Sequence, residues 1–327
     1  MKHFSKCISL IMFFLTITSA LGMGIAGAEP FRIVAYVPNW IDLDSFAKTI
    51  DYDHLTHINI AFENPINDRG ELSFHPMNES LIRRAHEHKV SVLVSIGGGS
   101  ASSNKELQDQ YRRLLSPDMR ARFAASLVEY VKSHSFDGLD VDIEGPSITD
   151  DYGPFIEELA NAFKSQSKLL TSALSKGYGG SKVPSSALAR FDFVNIMAYD
   201  GAGSWDPTAP GQHSSMEFTK QNVEYWIDRG LPKSKAVLGV PFYGYGFGAE
   251  FRKGTIAYAK ILAKYPDAET SDKVGNTIWH NAIPTIKQKT RYAIDQELGG
   301  IMIWSLDSDV AGSRSLFKAI IDTYQSR

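Results

Sequence analysis

The sequence predicts an α/β fold, a single closed (β/α)8 barrel, and three observations support this prediction. Short runs rich in β-branched and apolar residues recur eight times along the chain. Each run is followed by a stretch with helical periodicity, and this alternation is typical of a parallel sheet. Eight such units over about 300 residues fit a closed barrel better than an open sheet. The expected architecture is therefore a TIM barrel.

The composition fits one large globular domain. Hydrophobic residues make up 43% of the 327 residues and charged residues 22%, values that support a sizeable core. No low-complexity linker or block of like charge divides the chain, so a second domain is not expected. The formal net charge of −3 gives no indication of a nucleic-acid or anionic-membrane partner.

The first 28 residues have the pattern of a secretory signal peptide. Lys2 and Lys6 form a basic start, an apolar run covers residues 8–20, and Ala26-Gly27-Ala28 is a small-x-small cleavage site. We expect a mature chain of residues 29–327 that is secreted, extracellular or periplasmic, with no membrane attachment after cleavage. An uncleaved anchor is the alternative, although the apolar run is short for a membrane span.

Cysteine use adds a constraint on stability. The only cysteine, Cys7, lies inside the predicted signal. The mature chain would therefore hold no disulfide and depend on its core, which about 300 residues allow. Its 32 basic and 37 acidic residues give a net charge of −5, which favours a neutral or weakly cationic extracellular substrate.

The elements of the barrel follow one another in chain order. The predicted strands are Arg32–Val37, Leu55–Phe62, Ser91–Ile96, Gly138–Ile143, Leu169–Leu174, Phe193–Met197, Ala236–Pro241 and Gly300–Trp304. The clearest amphipathic helices are Ser116–Ser133, Gly153–Ser165, Glu217–Arg229 and Pro284–Leu298. The longest segment between predicted strands, Phe247–Leu298, separates the last two strands. We interpret it as helical, with a short helix near Thr255–Lys264, and expect no large α+β insertion there.

The fourth strand carries the most informative feature of the chain. Acidic and apolar residues alternate from Leu139 to Glu144, so Asp140, Asp142 and Glu144 share one face of the strand. Neighbouring carboxylates repel one another and are costly to desolvate. Such a row indicates chemistry or cation binding, although a buried structural network of acids remains an alternative.

The position of Glu144 favours acid catalysis. In a (β/α)8 barrel the C-terminal ends of the strands face the active-site mouth, and Glu144 is the last acid of its strand. Crowded carboxyl groups do not all ionise, so a protonated Glu144 could act as a general acid, with Asp142 close enough to share the proton. A Ca²⁺ or Mg²⁺ site is the less favoured reading, because Ca²⁺ usually takes six to eight oxygens from a loop.

The segment Asp137–Glu144 resembles the DGxDxDxE signature of the family 18 glycoside hydrolases, the chitinase family. Five further motifs of that family have counterparts here in the same order, with Ala35 in place of the usual glycine of the first. They are Ala35-Tyr36 with Trp40, Ser95-Ile96-Gly97-Gly98, Met197-Ala198-Tyr199-Asp200, Gly239–Gly244 and Gly299–Trp304. The resemblance thus covers the whole expected mature chain.

This resemblance implies substrate-assisted catalysis, in which the acetamide of N-acetylglucosamine attacks its own anomeric carbon. Glu144 would protonate the leaving oxygen and later activate water. Asp142 would hold the acetamide N–H and stabilise an oxazolinium intermediate, and Asp140 would share a proton with Asp142. Tyr199 would donate a hydrogen bond to the acetamide carbonyl, and Asp200 would bind the sugar.

The resemblance also implies a set of residues around the sugar. Tyr36 would support the carboxylate row, and Trp304 would form the aromatic floor beneath the reacting sugar. Met197, which belongs to the motif of the sixth strand, would also bind the substrate. Trp205, just beyond that strand, would form a sugar subsite. Tyr243 fits either the cleft lining or the scaffold.

Other residues have less specific interpretations. Trp40 fits a sugar subsite or an ordinary loop position. Ser95 is interpreted as support for the acid network, because no GxSxG elbow surrounds it. The run Gly97–Gly99 lacks both the GxxxxGK[ST] and the GxGxxG pattern, so nucleotide binding is not expected.

The sequence therefore predicts a monomeric chitinase-like hydrolase that needs no cofactor and no metal. Its expected partner is a polysaccharide or oligosaccharide containing N-acetylglucosamine. Cleavage of N-glycans or peptidoglycan uses the same chemistry and stays an alternative, as does a non-catalytic chitin-binding lectin. The resemblance also supplies a comparison, because many processive chitinases carry a sizeable α+β insertion between the last two strands. Since the segment here is short beside that insertion, we expect an open cleft that favours attack within a chain.

Overall fold

A closed barrel of eight parallel strands forms the centre of the protein and confirms the predicted fold. The computed structural model describes Met1 and residues 30–327, so the predicted signal peptide lies outside the described residues except for Met1. The described strands are β1 (Arg32–Pro38), β2 (His57–Ala61), β3 (Ser91–Gly97), β4 (Gly138–Asp142), β5 (Leu169–Leu174), β6 (Phe193–Ile196), β7 (Ala236–Pro241), β8 (Tyr243–Gly246), β9 (Ile256–Ala257), β10 (Lys273–Val274), β11 (Ile278–Trp279) and β12 (Gly300–Trp304).

The barrel closes in the order β1-β12-β7-β6-β5-β4-β3-β2. Helices connect most successive strands and lie outside the barrel, as parallel neighbours require. No helix among the described residues is both long and apolar enough to cross a membrane. The described helices are α1 (Leu43–Phe46), α2 (Asn78–Glu87), α3 (Gly98–Ser103), α4 (Lys105–Leu114), α5 (Arg120–Ser133), α6 (Tyr152–Ser165), α7 (Ser185–Leu188), α8 (Met216–Asp228), α9 (Tyr258–Lys264), α10 (Ile283–Asp295) and α11 (Leu316–Gln325).

Two separate apolar clusters fill the molecule. The larger cluster lies between strands and helices and includes Leu139 and Val141 of β4, both fully buried. The smaller cluster lines the barrel interior and includes Tyr36, Met197 and Tyr199. Because side chains alternate along a strand, the outward apolar residues of β4 anchor it while its acids face inward.

The segment between β7 and β12 differs from the sequence expectation. It begins with β8, which pairs with β9 and β11, and together with β10 these form a four-stranded antiparallel sheet in the order β10-β11-β8-β9. The helices α9 and α10 lie where the sequence indicates, but the purely helical interpretation of Phe247–Leu298 was wrong. Three of the four strands contain only two residues, too few to show a period of two.

Candidate active site

The strand β4 brings the three acids to the C-terminal end of the barrel. Asp140 is fully buried and Asp142 is 4% exposed, so both lie inside the barrel. The strand ends at Asp142, and Glu144 follows in extended conformation with φ −126° and ψ 165°. This conformation continues the alternation for two further residues, so the row reaches past the strand into the mouth.

Asp140 lies at the centre of a polar layer inside the barrel. Its Oδ2 accepts hydrogen bonds from the Tyr36 hydroxyl at 2.6 Å and from Ser95 Oγ at 2.7 Å. Its Oδ1 accepts from Thr171 Oγ1 at 2.6 Å and from Asn195 Nδ2 at 3.4 Å. Burial raises the pKa of Asp140, while these hydrogen bonds act in the opposite direction.

Asp142 has far fewer partners than Asp140. Its Oδ1 is buried and has no hydrogen-bond partner among the described residues. Burial, and then the charges of Glu144 and Asp140, raise the pKa of Asp142 well above its ordinary value. Asp142 can therefore hold a proton that a better-solvated carboxyl would lose, and its free oxygen can accept a hydrogen bond from a ligand.

Glu144 is the acid nearest the mouth. Burial, followed by the charge of Asp200, raises the pKa of Glu144 to about 7. A carboxyl with this pKa is largely protonated in mildly acidic solution and gives up its proton readily near neutrality. These are the properties of a general acid that later serves as a base.

The end of β6 places Met197, Tyr199 and Asp200 at the same mouth. Met197 is 8% and Tyr199 7% exposed, and both belong to the cluster that lines the barrel. Burial and the nearby charges, first that of Asp142, raise the pKa of Tyr199 well above its ordinary value. The Tyr199 hydroxyl therefore keeps its proton and can donate a hydrogen bond.

Asp200 is held by two tyrosines of β8. Its Oδ1 accepts hydrogen bonds from the Tyr243 hydroxyl at 2.5 Å and the Tyr245 hydroxyl at 2.9 Å. Asp200 has φ 61°, a left-handed conformation at the turn after β6. The sequence analysis named Tyr243 but missed Tyr245, although the alternation Tyr243-Gly244-Tyr245-Gly246 puts both rings on one face.

Aromatic side chains extend from the barrel floor to the surface on one side of the acids. Trp304 lies edge-on to Tyr36, with ring centroids 5.4 Å apart, and stacks on Phe62 at 5.7 Å. Phe62 in turn stacks on Trp40 at 6.3 Å. Trp40 is 64% exposed, so this row of rings offers apolar faces to a long ligand.

A second exposed tryptophan lies on the loop after β6. Trp205 is 61% exposed and packs edge-on against Tyr245, with ring centroids 5.5 Å apart. The predicted site residues, which lie on β1, β4, β8 and β12 or just beyond β4 and β6, thus lie at one end of the barrel. Within residues 30–327, no group of three or more His, Cys, Asp or Glu side chains is arranged to hold a metal ion.

The polar layer around Asp140 contains two residues that the sequence analysis missed. Thr171 and Asn195 are fully buried on β5 and β6. Asn195 is the single polar residue of β6, and Thr171 and Ser172 are the only polar residues of β5. A polar residue at an inward position of such an apolar strand is a usable signal in the sequence. Tyr36 and Ser95, which were predicted to support the acids, do contact Asp140.

A buried carboxyl row at the C-terminal mouth of a (β/α)8 barrel, with one carboxyl protonated until near neutral pH, fits the class of barrel glycoside hydrolases. Comparison with known families gives the particular assignment. The family model described as "Glycosyl hydrolases family 18" matches residues 32–309. The chain belongs to this family and is a glycoside hydrolase of the chitinase type.

Individual relatives agree with this assignment. The solved structure of the GH18 chitinase ChiB from the chitin utilization locus of Flavobacterium johnsoniae is 34% identical, with a TM-score of 0.84 over 91% of this chain and 95% of that one. Human chitinase-3-like protein 2 is 26% identical over 86% of this chain and 88% of its own length. The protein named "Probable chitinase 10" of Drosophila melanogaster is 26% identical over 85% of this chain, which spans only 15% of that protein.

Proposed function

We propose that this protein is a secreted retaining hydrolase that cleaves β-1,4 linkages in chitin or chitooligosaccharides with the help of the substrate's acetamide. The observation that carries the proposal is the environment of Glu144, a carboxyl with a pKa raised to about 7 directly beyond the buried, unpaired Asp142. One acid is thus suited to donate a proton, and the other to hold an amide N–H.

The first step breaks the glycosidic bond. The protonated Glu144 gives its proton to the glycosidic oxygen, and the C1–O bond breaks as the leaving sugar departs with that proton. The carbonyl oxygen of the 2-acetamido group forms a new bond to C1, which yields a cyclic oxazolinium ion. No covalent bond to the protein forms, so the chain needs no carboxylate nucleophile close to C1.

The second step restores the acid. The ionised Glu144 takes a proton from a water molecule, and the water oxygen attacks C1 from the face that the leaving group vacated. The C1–O bond to the acetamide breaks, and the acetamide recovers its carbonyl. Two inversions give net retention, and Glu144 is again protonated for the next cycle.

The other acids stabilise the intermediate. The free oxygen of Asp142 accepts a hydrogen bond from the acetamide N–H. When Asp142 is ionised, its negative charge lies beside the positive oxazolinium ring. Asp140 is fixed by Tyr36, Ser95 and Thr171, so its charge acts on Asp142 from a fixed position. A proton held by this pair can move as Glu144 changes charge.

The remaining side chains orient the sugar. The Tyr199 hydroxyl donates to the acetamide carbonyl and fixes the direction of attack. Asp200, held by Tyr243 and Tyr245, binds the sugar, and Met197 lines the pocket. Trp304 provides the apolar floor for the reacting sugar, while Trp205 gives a subsite to a neighbouring unit.

Chitin is the favoured polymer because the three relatives described above are named chitinases or chitinase-like, among them ChiB of Flavobacterium johnsoniae. The same acid row could serve an endo-β-N-acetylglucosaminidase acting on N-glycans or peptidoglycan. A chitin-binding lectin is the candidate of another class, and the presence of Glu144, Asp142 and Tyr199 together favours the enzyme. We further propose that the protein acts as a monomer outside the cytoplasm.

The decisive experiment offers three substrates to the purified protein and identifies the products by mass spectrometry. Colloidal chitin, an N-glycoprotein and purified peptidoglycan separate the candidate substrates. We expect oligomers of N-acetylglucosamine from chitin and little product from the other two. Equal cleavage of a chitooligosaccharide and its fully deacetylated form would overturn the acetamide mechanism, because only the former carries the attacking oxygen.

A further inference from the structure

Lys289 is a buried cationic residue in a helix of the barrel wall. On α10 it shares the inward face with Ile286, Thr290 and Ala293, all buried at helical spacing. Its side chain is fully buried. Burial lowers the pKa of Lys289 to about 7, against the opposite effect of Asp272. A lysine costs free energy at such a position unless its amino group is well hydrogen-bonded.

The amino group of Lys289 has three uncharged acceptors. Its Nζ lies 2.7 Å from Ser214 O, 2.6 Å from Ser214 Oγ and 2.7 Å from Asn281 Oδ1. An ammonium has three N–H donors, so the three acceptors match its full capacity. Asn281 Nδ2 also donates to Ser214 O at 3.0 Å. Lys289 therefore ties α10 to the end of the small sheet and to the loop after β6.

These contacts lead directly to the active-site turn. Ser214 Oγ accepts from Lys289 and donates to the carbonyl oxygen of Ala198 at 2.6 Å. Ala198 immediately precedes Tyr199. At the other end of the turn, the Gly201 N–H donates to His213 O at 2.8 Å. Residues 213 and 214 thus hold both ends of residues 198–201, where Asp200 has its left-handed conformation.

We propose that Lys289 is a positioning residue for the reaction, acting through Ser214 on the turn that carries Tyr199 and Asp200. The ammonium group orients Ser214 Oγ, and this hydroxyl holds the Ala198 carbonyl. The turn then presents the Tyr199 hydroxyl and the Asp200 carboxylate to the sugar. This inference rests on the proposed function, since it assigns Lys289 a part in placing the acetamide.

The chain offers matched variants to test this path. Lys289→Met removes the amino group and keeps the length of the side chain, and Ser214→Ala removes the hydroxyl that joins Lys289 to the Ala198 carbonyl. Lys287→Met is the control, because Lys287 is exposed two residues away on the same helix. We expect kcat/KM on a chitooligosaccharide to fall about tenfold to a hundredfold in the first two variants, because a small displacement of Tyr199 and Asp200 would misalign the sugar. The control should match the wild type.

A double variant tests whether the two residues act in one path. If Lys289 works through Ser214, the variant carrying both changes loses about as much kcat/KM as Ser214→Ala alone. Losses that multiply in the double variant would overturn the relay. A folded Lys289→Met protein with a lower Tm and unchanged kcat/KM would also overturn the proposal, because it would show a purely structural role.

A measurement without substrate separates this proposal from the proposed function. We expect faster amide hydrogen exchange in residues 198–214 of Lys289→Met and Ser214→Ala, and no change there in Lys287→Met. If the wild type cleaves no N-acetylglucosamine polymer, the proposed function fails, and the exchange pattern still tests the coupling. Unchanged exchange in Ser214→Ala, which keeps the contacts of Lys289 with Ser214 O and Asn281, would overturn the coupling even if Lys289→Met does not fold.

Discussion

Glu144 owes its chemistry to its surroundings rather than to its residue type. An exposed glutamate is ionised at neutral pH. Here burial and the charge of Asp200 raise the pKa of Glu144 to about 7, and the unpaired Asp142 lies two residues before it. The alternation of acids in the sequence was enough to identify this row, because a strand places every second residue on one face.

Replacing Glu144 by glutamine tests its role as the proton donor. The amide side chain would fill the same volume but could not protonate the leaving oxygen, so we expect kcat to fall by about 10²-fold to 10⁴-fold. Binding of a chitooligosaccharide, followed by tryptophan fluorescence, should persist, because Trp304 and Trp205 are unchanged. Full activity in Glu144→Gln would contradict the assignment, and loss of binding would point to misfolding or a direct binding role.

The same ionisation affects folding stability. The folded protein binds the Glu144 proton up to about pH 7, whereas the unfolded chain loses it near pH 4.5. The contribution of Glu144 to the free energy of unfolding is therefore largest below pH 4.5, and it is lost as the pH rises towards 7. The full difference is on the order of 3 kcal/mol, from about 1.4 kcal/mol per pKa unit.

Thermal unfolding of Glu144→Gln against the wild type measures this contribution. The neutral amide avoids the cost of a buried charge, so we expect the variant to exceed the wild type in Tm by a few degrees at pH 8. The two should agree at pH 4, where Glu144 is protonated. Glu158→Gln, an exposed change on α6, serves as the control. A Tm difference of equal size at both pH values would contradict this origin.

Some residues of the site could not be found from the sequence. Thr171 and Asn195 gave a local signal, as polar residues at inward positions of largely apolar strands. Lys289 gave a misleading signal in the sequence, because a lysine in an amphipathic helix is usually exposed. Its acceptors Ser214 and Asn281 lie on other elements, and only the folded chain brings them together.

At the scale of elements, the end of β3 packs directly against the end of β4. Gly97 has φ 104°, and a Cβ there would lie 2.2 Å from the carbonyl oxygen of Asp142. Only glycine allows both this conformation and this approach. Gly97 at the end of β3 therefore lets the acid-bearing strand come close, which is a structural reason for this glycine and needs no phosphate.

Gly97→Ala should damage the site, and Gly99→Ala should not. The added methyl group at Gly97 must displace the Asp142 backbone, so we expect a loss on the order of 3 kcal/mol in stability together with reduced kcat. A Cβ at Gly99 meets no atom within 4 Å, so that variant should change stability by less than about 1 kcal/mol. Similar melting temperatures and rates in both variants would contradict the close contact.

Strand length explains which elements the sequence predicted. The barrel strands contain four to seven residues each, which is long enough for the apolar pattern to appear, and β5, β7 and β12 match their predicted limits. The strands β9, β10 and β11 contain two residues each. Tertiary pairing in the order β10-β11-β8-β9, rather than any local pattern, makes these residues a sheet.

For the molecule as a whole, stability comes from noncovalent interactions, chiefly the packing of the apolar clusters. The sequence contains a single cysteine, so no disulfide can form within the chain. The chemistry proposed for the acid row also needs no metal ion. We expect EDTA and dithiothreitol to leave both Tm and the rate of chitooligosaccharide cleavage unchanged. A loss of rate on treatment with EDTA, restored by Ca²⁺ or Mg²⁺, would revive the cation-binding interpretation of the acid row.

The shape of the active-site mouth bears on where a polymer is cut. The small sheet beside the cleft is built around strands of two to four residues, and the exposed Trp40 and Trp205 lie on different loops of the mouth. A short wall lets a chain enter sideways instead of threading from one end. We therefore expect attack within chains, with a rapid fall in the viscosity of a water-soluble chitin derivative while few reducing ends appear. Strictly stepwise release of disaccharides from long chains would contradict an open cleft.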